Sequence, residues 1–451
     1  MKDLTKGNII KLLIAFSVPL LIGNIFQLLY NVVDTKVVGE ILGKDALAAL
    51  GASSPVYDLI ICTLTGLGNG FGIVISQFYG AKEMNRMRQA VANAICLMAG
   101  ITILATIGSF FLLRPLLHIL NTPVDIFDRC IRYINIIIVF MIFTAAYNLC
   151  AAILRALGDT IRPLIFLAIA SVLNAGLDIL FVGGLKMDVQ GAAFATVIAQ
   201  AISFVCCVIY MIKKCPELHL KREDFHFEAK LIGNLLSQGM AMAFMLCFVT
   251  IGTLILQGAI NKLGTNIIAA HTIARKLTSI FMLPFTTIGV AIATFSGQNC
   301  GAGRYDRIRT GIKDAIILTW AWSVIVVIAV YTAAPLLIRL ISGATTPEVI
   351  ENAEWYLRFD TPFYFVVCIL LVLRNAMQGI GRKIIPMIAS MIELLGKLIV
   401  AWVLAERMKY FGIIISEPAT WILCALLLAV AFLTDSRFRK PVRTADKEML
   451  N

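Results

Sequence analysis

Ile73-Val-Ile-Ser-Gln77-Phe-Tyr-Gly80-Ala81-Lys82 closes a long apolar run and opens a basic loop that carries Arg86 and Arg88. At an offset of 221 in the numbering, Phe295-Ser-Gly-Gln298-Asn-Cys-Gly301-Ala302-Gly303 does the same ahead of Arg307 and Arg309. That offset also carries Leu42-Gly43 onto Leu263-Gly264 and Ala48-Ala49 onto Ala269-Ala270. It then drifts by two or three residues, so that Pro123 meets Pro347 and Tyr133 meets Tyr356. Matches that share one register indicate a duplication. Residues 1–212 are expected to form an N-terminal six-helix lobe and 230–435 a C-terminal one. Residues 213–229 are the polar linker, and 436–451 form a basic cytoplasmic tail.

The composition says what kind of unit was duplicated. Of 451 residues 59% are hydrophobic and 15% charged, with a mean hydropathy of +0.88. A soluble domain carries about a quarter charged residues, so this chain could not cover a water-facing surface. A spanning helix needs about 20 apolar residues, and the apolar runs group into twelve. They are continuous rather than alternating, which excludes a β-barrel. The predicted fold is an all-α polytopic membrane protein with twelve transmembrane helices in two pseudo-symmetric six-helix bundles. With six spans per half, the copies are parallel repeats about an axis along the membrane normal, an arrangement of transporters.

The formal charge of +12 reflects orientation rather than nucleic-acid binding. Twenty-five basic residues fall on the face of the N-terminus and eleven on the other, with Arg275, Lys276 and Lys397 inside spans. Basic loops stay in the cytoplasm, so both termini are expected there, in the inner membrane of a bacterial cell. An even number of spans requires the same. The eleven cysteines include no CxxC pair and read as small apolar packers. Cys215, His219 and His226 do not make a metal site. No phosphate-binding loop and no His-Glu-x-x-His occurs, which argues against an ATP-driven pump and an enzyme.

Four segments carry a resemblance. Asn31-Val-Val-Asp34-Thr35, Gln77-Phe-Tyr-Gly80-Ala81-Lys82, Leu154-Arg155-Ala-Leu-Gly158-Asp159-Thr-Ile-Arg162-Pro163 and Gly297-Gln298-Asn-Cys-Gly301-Ala302-Gly303 resemble the multidrug and toxic compound extrusion (MATE) family. The likeness runs from about Ile9 to Asp435, and the Arg155–Pro163 segment is its most specific part. It implies a V-shaped pair of six-helix lobes that exports amphipathic, cationic compounds in exchange for Na+ or H+. Two departures stand out. The second copy of the Arg155 segment reads Arg374-Asn-Ala-Met-Gln-Gly-Ile-Gly-Arg382, and the seventh span has Gln257 where some members use a carboxylate.

Ionisable groups inside a span are costly and therefore candidates for function. Asn24, Gln27, Asn31 and Asp34 are spaced by 3, 4 and 3 and fall on one face of the first span. Ser171, Asn174 and Asp178 form a second polar stripe, and Thr196, Gln200 and Ser203 a third. Counting from the outer helix ends at about 1.5 Å per residue puts Asp34, Asp178 and Thr196 at a similar depth. Two carboxylates with amide and hydroxyl oxygens suit a hard cation, and can equally share a proton. The resemblance assigns the first-lobe cation site to Asp34, Asn174, Asp178 and Thr196.

Candidates for the substrate cavity are Asn31, Gln27, Asp58, Gln257, Glu393 and Lys397. The last two stand at i, i+4, a spacing that lets them neutralise each other. His271, Arg275 and Lys276 are expected to snorkel or to cap a neighbouring carbonyl. No cofactor beyond the coupling ion is expected. The partners are the bilayer and a small amphipathic substrate, and the protein is expected to act as a monomer. A flippase for lipid-linked precursors is the alternative; it would favour more spans and more buried cations.

Overall fold

In the computed structural model the described residues are 3–119, 122–343 and 346–439, with the side chains at 30–36, 119, 342 and 439 excepted. The side chains of Asn31 and Asp34 and most of the basic tail thus lie outside the described residues.

The first half contains α1 (Ile9–Leu42), α2 (Lys44–Gly80), α3 (Met84–Ile119), α4 (Val124–Val139), α5 (Met141–Ala156), α6 (Ile161–Asp178) and α7 (Asp188–Lys214). The second contains α8 (Ala229–Ile260), α9 (Thr265–Gly301), α10 (Tyr305–Ser342), α11 (Pro347–Asp360), α12 (Tyr364–Gly379), α13 (Ile384–Ile399) and α14 (Ala405–Thr434). The repeat lands on helix ends: α2 and α9 begin and end at the offset that the sequence motifs share, as do the starts of α3 and α10. From α4 and α11 to α6 and α13 the starts are offset by 223.

Among the described residues ten helical runs are long and apolar enough to cross a membrane, and α4 and α5, bent by 50° at Phe140, add an eleventh. One run, Ile384–Thr434, has 51 residues, enough for two crossings. It doubles back: Lys409 has φ 50° inside α14, and a Cβ on Gly412 would press against the carbonyl of Leu404. Residues eight apart in a straight helix are about 12 Å apart, so contact there marks a reversal. That makes twelve spans. The first half repeats the device, with Lys186 at φ 53° and Gly191 pressed on Phe181; Gly191 and Gly412 are themselves matching positions of the repeat. The long α2 runs on through Pro55.

Backbone-level packing fixes the interior of the first half. On α2, a Cβ at Gly66 would collide with Ala243, and one at Gly70 with Gly239, both on α8. Gly68 and Gly72 lie in the same way against Asn148 and Ala152 of α5. Small residues at i, i+4 let membrane helices approach closely, since lipid supplies no hydrophobic drive between them. In the second half α9 and α12 meet through Ala293 and Gly379.

The chain divides into two compact units, Met1–Lys2 with Val18–Cys247 and Asp3–Ser17 with Phe248–Asn451. The start of α1 thus belongs to the second unit and the first half of α8 to the first. Anchoring of the N-terminal segment is explicit. The Leu4 N–H donates to Gln298 Oε1 (3.0 Å), and Asn299 Nδ2 donates to the Leu4 carbonyl (3.2 Å). Arg307 donates to the Gly7 carbonyl (3.0 Å) and to Asn299 Oδ1 (3.2 Å).

Candidate ion site and a buried charge chain

Asn174 and Asp178 lie one turn apart on α6, and Thr196 and Gln200 one turn apart on α7, so each pair shares a helix face. All of Asn174, Asp178 and Thr196 are buried, Asp178 fully. Asn174 Nδ2 stands 3.5 Å from Thr196 Oγ1 as a long hydrogen bond. Among the described residues, Asn174 Oδ1 and Gln200 Oε1 are buried acceptors with no donor. A buried oxygen left without a donor costs about 1–3 kcal/mol. Immediately after Asp178 the helix widens into a π turn, Ile179–Gly184, an irregularity frequent at functional sites. The structure therefore sets Asn174 against Thr196 between α6 and α7, with Asp178 buried one turn further along α6. It describes the backbone of Asp34 on α1 but not its carboxylate.

The other candidates scatter. Gln27 and Asp58 are exposed, and half-buried Gln257 donates to Asn261 Oδ1 (2.9 Å). Glu393 and Lys397 are buried and paired at 3.4 Å, as their spacing predicts.

That pair is the middle of a longer chain in the second unit. Arg374 of α12 meets Glu393 Oε2 at 3.0 Å. Lys397 reaches across to Glu417 of α14 at 3.6 Å, and Glu417 binds Arg275 of α9 at 2.7 Å. Tyr356 on α11 donates to the same Glu417 oxygen (3.3 Å). The five charges alternate in sign, so each carboxylate is shared between two cations. Gly252 makes room for Lys397, since a Cβ there would press on its aliphatic stem. One turn beyond Tyr356, Asp360 is fully buried. It lies beside Tyr364 and within electrostatic reach of Arg275 and Glu417.

Arg275 thus turns inward to an acid instead of snorkelling, because α14 brings Glu417 against α9; Lys276 alone is exposed. His271 stands edge-on to Tyr356, with ring centroids 5.2 Å apart. Sequence reasoning missed Glu417 and Asp360. The available signal was a lone carboxylate in Gly412-Ile-Ile-Ile-Ser-Glu417-Pro, an otherwise apolar run.

A family model, MatE, matches residues 19–180 and again 241–403. The probable multidrug resistance protein YpnP of Bacillus subtilis is 28% identical over 392 residues, 87% of each chain. The probable multidrug resistance protein NorM of Thermotoga maritima is 25% identical over 97% of this chain and 95% of its own. A MOP superfamily transporter from Pyrococcus furiosus shares the fold with a TM-score of 0.88 and 21% identity, over 97% of this chain and 98% of that one. The same family model matching each half separately marks a transporter of duplicated design. The chain belongs to the MatE family of multidrug efflux transporters; it is a multi-pass membrane protein and not an enzyme.

Proposed function

We propose that this transporter is an antiporter that exports amphipathic, cationic compounds in exchange for Na+ or H+, with the ion bound in the first lobe. The reading is supported by one observation: a fully buried Asp178 one turn from Asn174, whose donorless side-chain oxygen lies in a residue that contacts Thr196. Oxygen acceptors gathered around a carboxylate are what a hard cation requires, and Asp34 is proposed as the second carboxylate. A proton would use the same two acids, held by one of them. Ion and substrate must oppose each other's binding, and by linkage each weakens the other equally. Asn31, Gln27, Asp58 and Gln257 are proposed to line the substrate path, whereas Glu393 and Lys397, spoken for by their neighbours, hold helices together.

The bias of basic residues supports placing both termini in the cytoplasm and the protein in the inner membrane, where it is proposed to act as a monomer. Export of lipid-linked precursors is the weaker reading, since the family match and the named relatives point to multidrug efflux. The test is efflux of a cationic dye from proteoliposomes under separately imposed Na+ and pH gradients. Export driven by one gradient names the ion. Export indifferent to both overturns the proposal.

A further inference from the structure

The first unit carries a cavity of about 370 Å³ between α3, α5 and α7, with neither Asn174 nor Asp178 in its lining. Every residue lining it is apolar, among them Ile95, Ala146, Ile153, Phe204, Ile212 and Leu220. Ile153 forms its buried floor, while Ile95 and Ile212 at its rim are 40% and 62% exposed. On a membrane-spanning bundle this is a groove open to lipid. Along α7 its lining runs from Phe204 to Ile212, about 12 Å at 1.5 Å per residue. That is most of the depth of one leaflet of a hydrocarbon core about 30 Å thick.

The linker closes the groove at the membrane surface. Leu218 and Leu220 complete the wall. A His219 Nε2 contact with the Ile212 carbonyl (2.7 Å) folds the linker back onto α7. The Lys221 N–H donates to Asp224 (2.7 Å), and Asp224 pairs with Arg88 of α3 at 3.7 Å. Exposed Lys213 and Lys214 follow directly on Ile212, and exposed Lys221 and Arg222 on Leu220. With Asp224 engaged, the stretch from Lys213 to Glu223 sets Lys213, Lys214, Lys221 and Arg222 against Glu217 and Glu223 and is net positive, while Asp159 is held by the Tyr210 hydroxyl at 2.9 Å.

We propose that this groove is a binding site for an anionic phospholipid of the adjacent leaflet. One acyl chain lies along α3, α5 and α7, and the headgroup phosphate rests on Lys213, Lys214, Lys221 and Arg222. Apolar length matched to a leaflet recognises the chain, and juxtamembrane lysines recognise the negative headgroup. A zwitterionic lipid would fill the groove without using the cations, and a cationic export substrate would be repelled at the mouth.

The test is native mass spectrometry of the delipidated, full-length protein titrated with phosphatidylglycerol or phosphatidylcholine. The expected result is at least a tenfold preference for phosphatidylglycerol. The preference should disappear in K213Q/K214Q/K221Q and both lipids should be lost in A146W, which fills the groove. Should A146W not fold, I212W serves at an exposed position, and brominated phosphatidylglycerol is expected to quench its added fluorescence more than brominated phosphatidylcholine. Equal affinity for the two lipids, or equal quenching, overturns the proposal. So does displacement of phosphatidylglycerol by ethidium, which would make the groove a drug site.

Discussion

Arg275 of α9 donates from Nη1 to Glu417 Oε2 of α14 at 2.7 Å, and the same carboxylate faces Lys397 at 3.6 Å. One acid therefore compensates two cations drawn from different helices, and the helices are held by it. Removing one member of a buried ion pair is costly because the survivor stays charged without water.

Glu417→Gln is accordingly expected to lower stability by about 3–5 kcal/mol, read as a drop in the thermal transition of the detergent-solubilised protein. Lys397→Met should cost a comparable amount. A double variant that loses much less than the sum would identify a shared chain rather than two separate contacts.

For the proposed ion site, Asp178→Asn keeps the volume and removes the charge. Gradient-driven dye efflux should fall at least tenfold, about 1.4 kcal/mol or more in rate terms, while membrane expression stays normal. Asp34→Asn should behave alike. Full efflux in either variant at normal expression would remove the carboxylate from the coupling step.

Gly66 on α2 lies against the α8 backbone at Ala243, so Gly66→Val must push two helices apart. The expected cost is about 1–3 kcal/mol, visible as a lower melting temperature. Gly108 on α3 has nothing within 4 Å of where its Cβ would stand, and Gly108→Ala should leave stability unchanged or raise it by up to about 1 kcal/mol.

Arg307 holds the carbonyls of Leu4 and Gly7 and the side chain of Asn299 together. Arg307→Ala should release the segment before α1. Amide exchange at residues 4–8 is expected to quicken at least tenfold, with the remaining helices unaffected. Unchanged exchange there would mean that Gln298 and Asn299 anchor the segment alone.

Much of this architecture could be read from the residues because repetition survives in sequence: Gln77 and Gln298 mark the matching ends of α2 and α9. The pairing of Asn174 with Thr196 was accessible too, since i, i+4 spacing fixes a helix face. The partners of Arg275 were not. Helical periodicity says which side of α9 the guanidinium takes, but Glu417 arrives there only because the chain reverses at Lys409, and no local preference announces that reversal. Asp360 escaped for the same reason, its surroundings being built by α9 and α14.

Counted from their helix starts, Asn174 on α6 and Lys397 on α13 occupy the same position. The first copy presents an amide oxygen awaiting a donor; the second presents an ammonium on a covalent leash, with Gly252 cleared to admit it. A tethered cation cannot dissociate and is blind to any gradient. Under the proposed exchange the ancestral twins have become a responsive partner and a permanently loaded one, and only the responsive half can keep time with the ion.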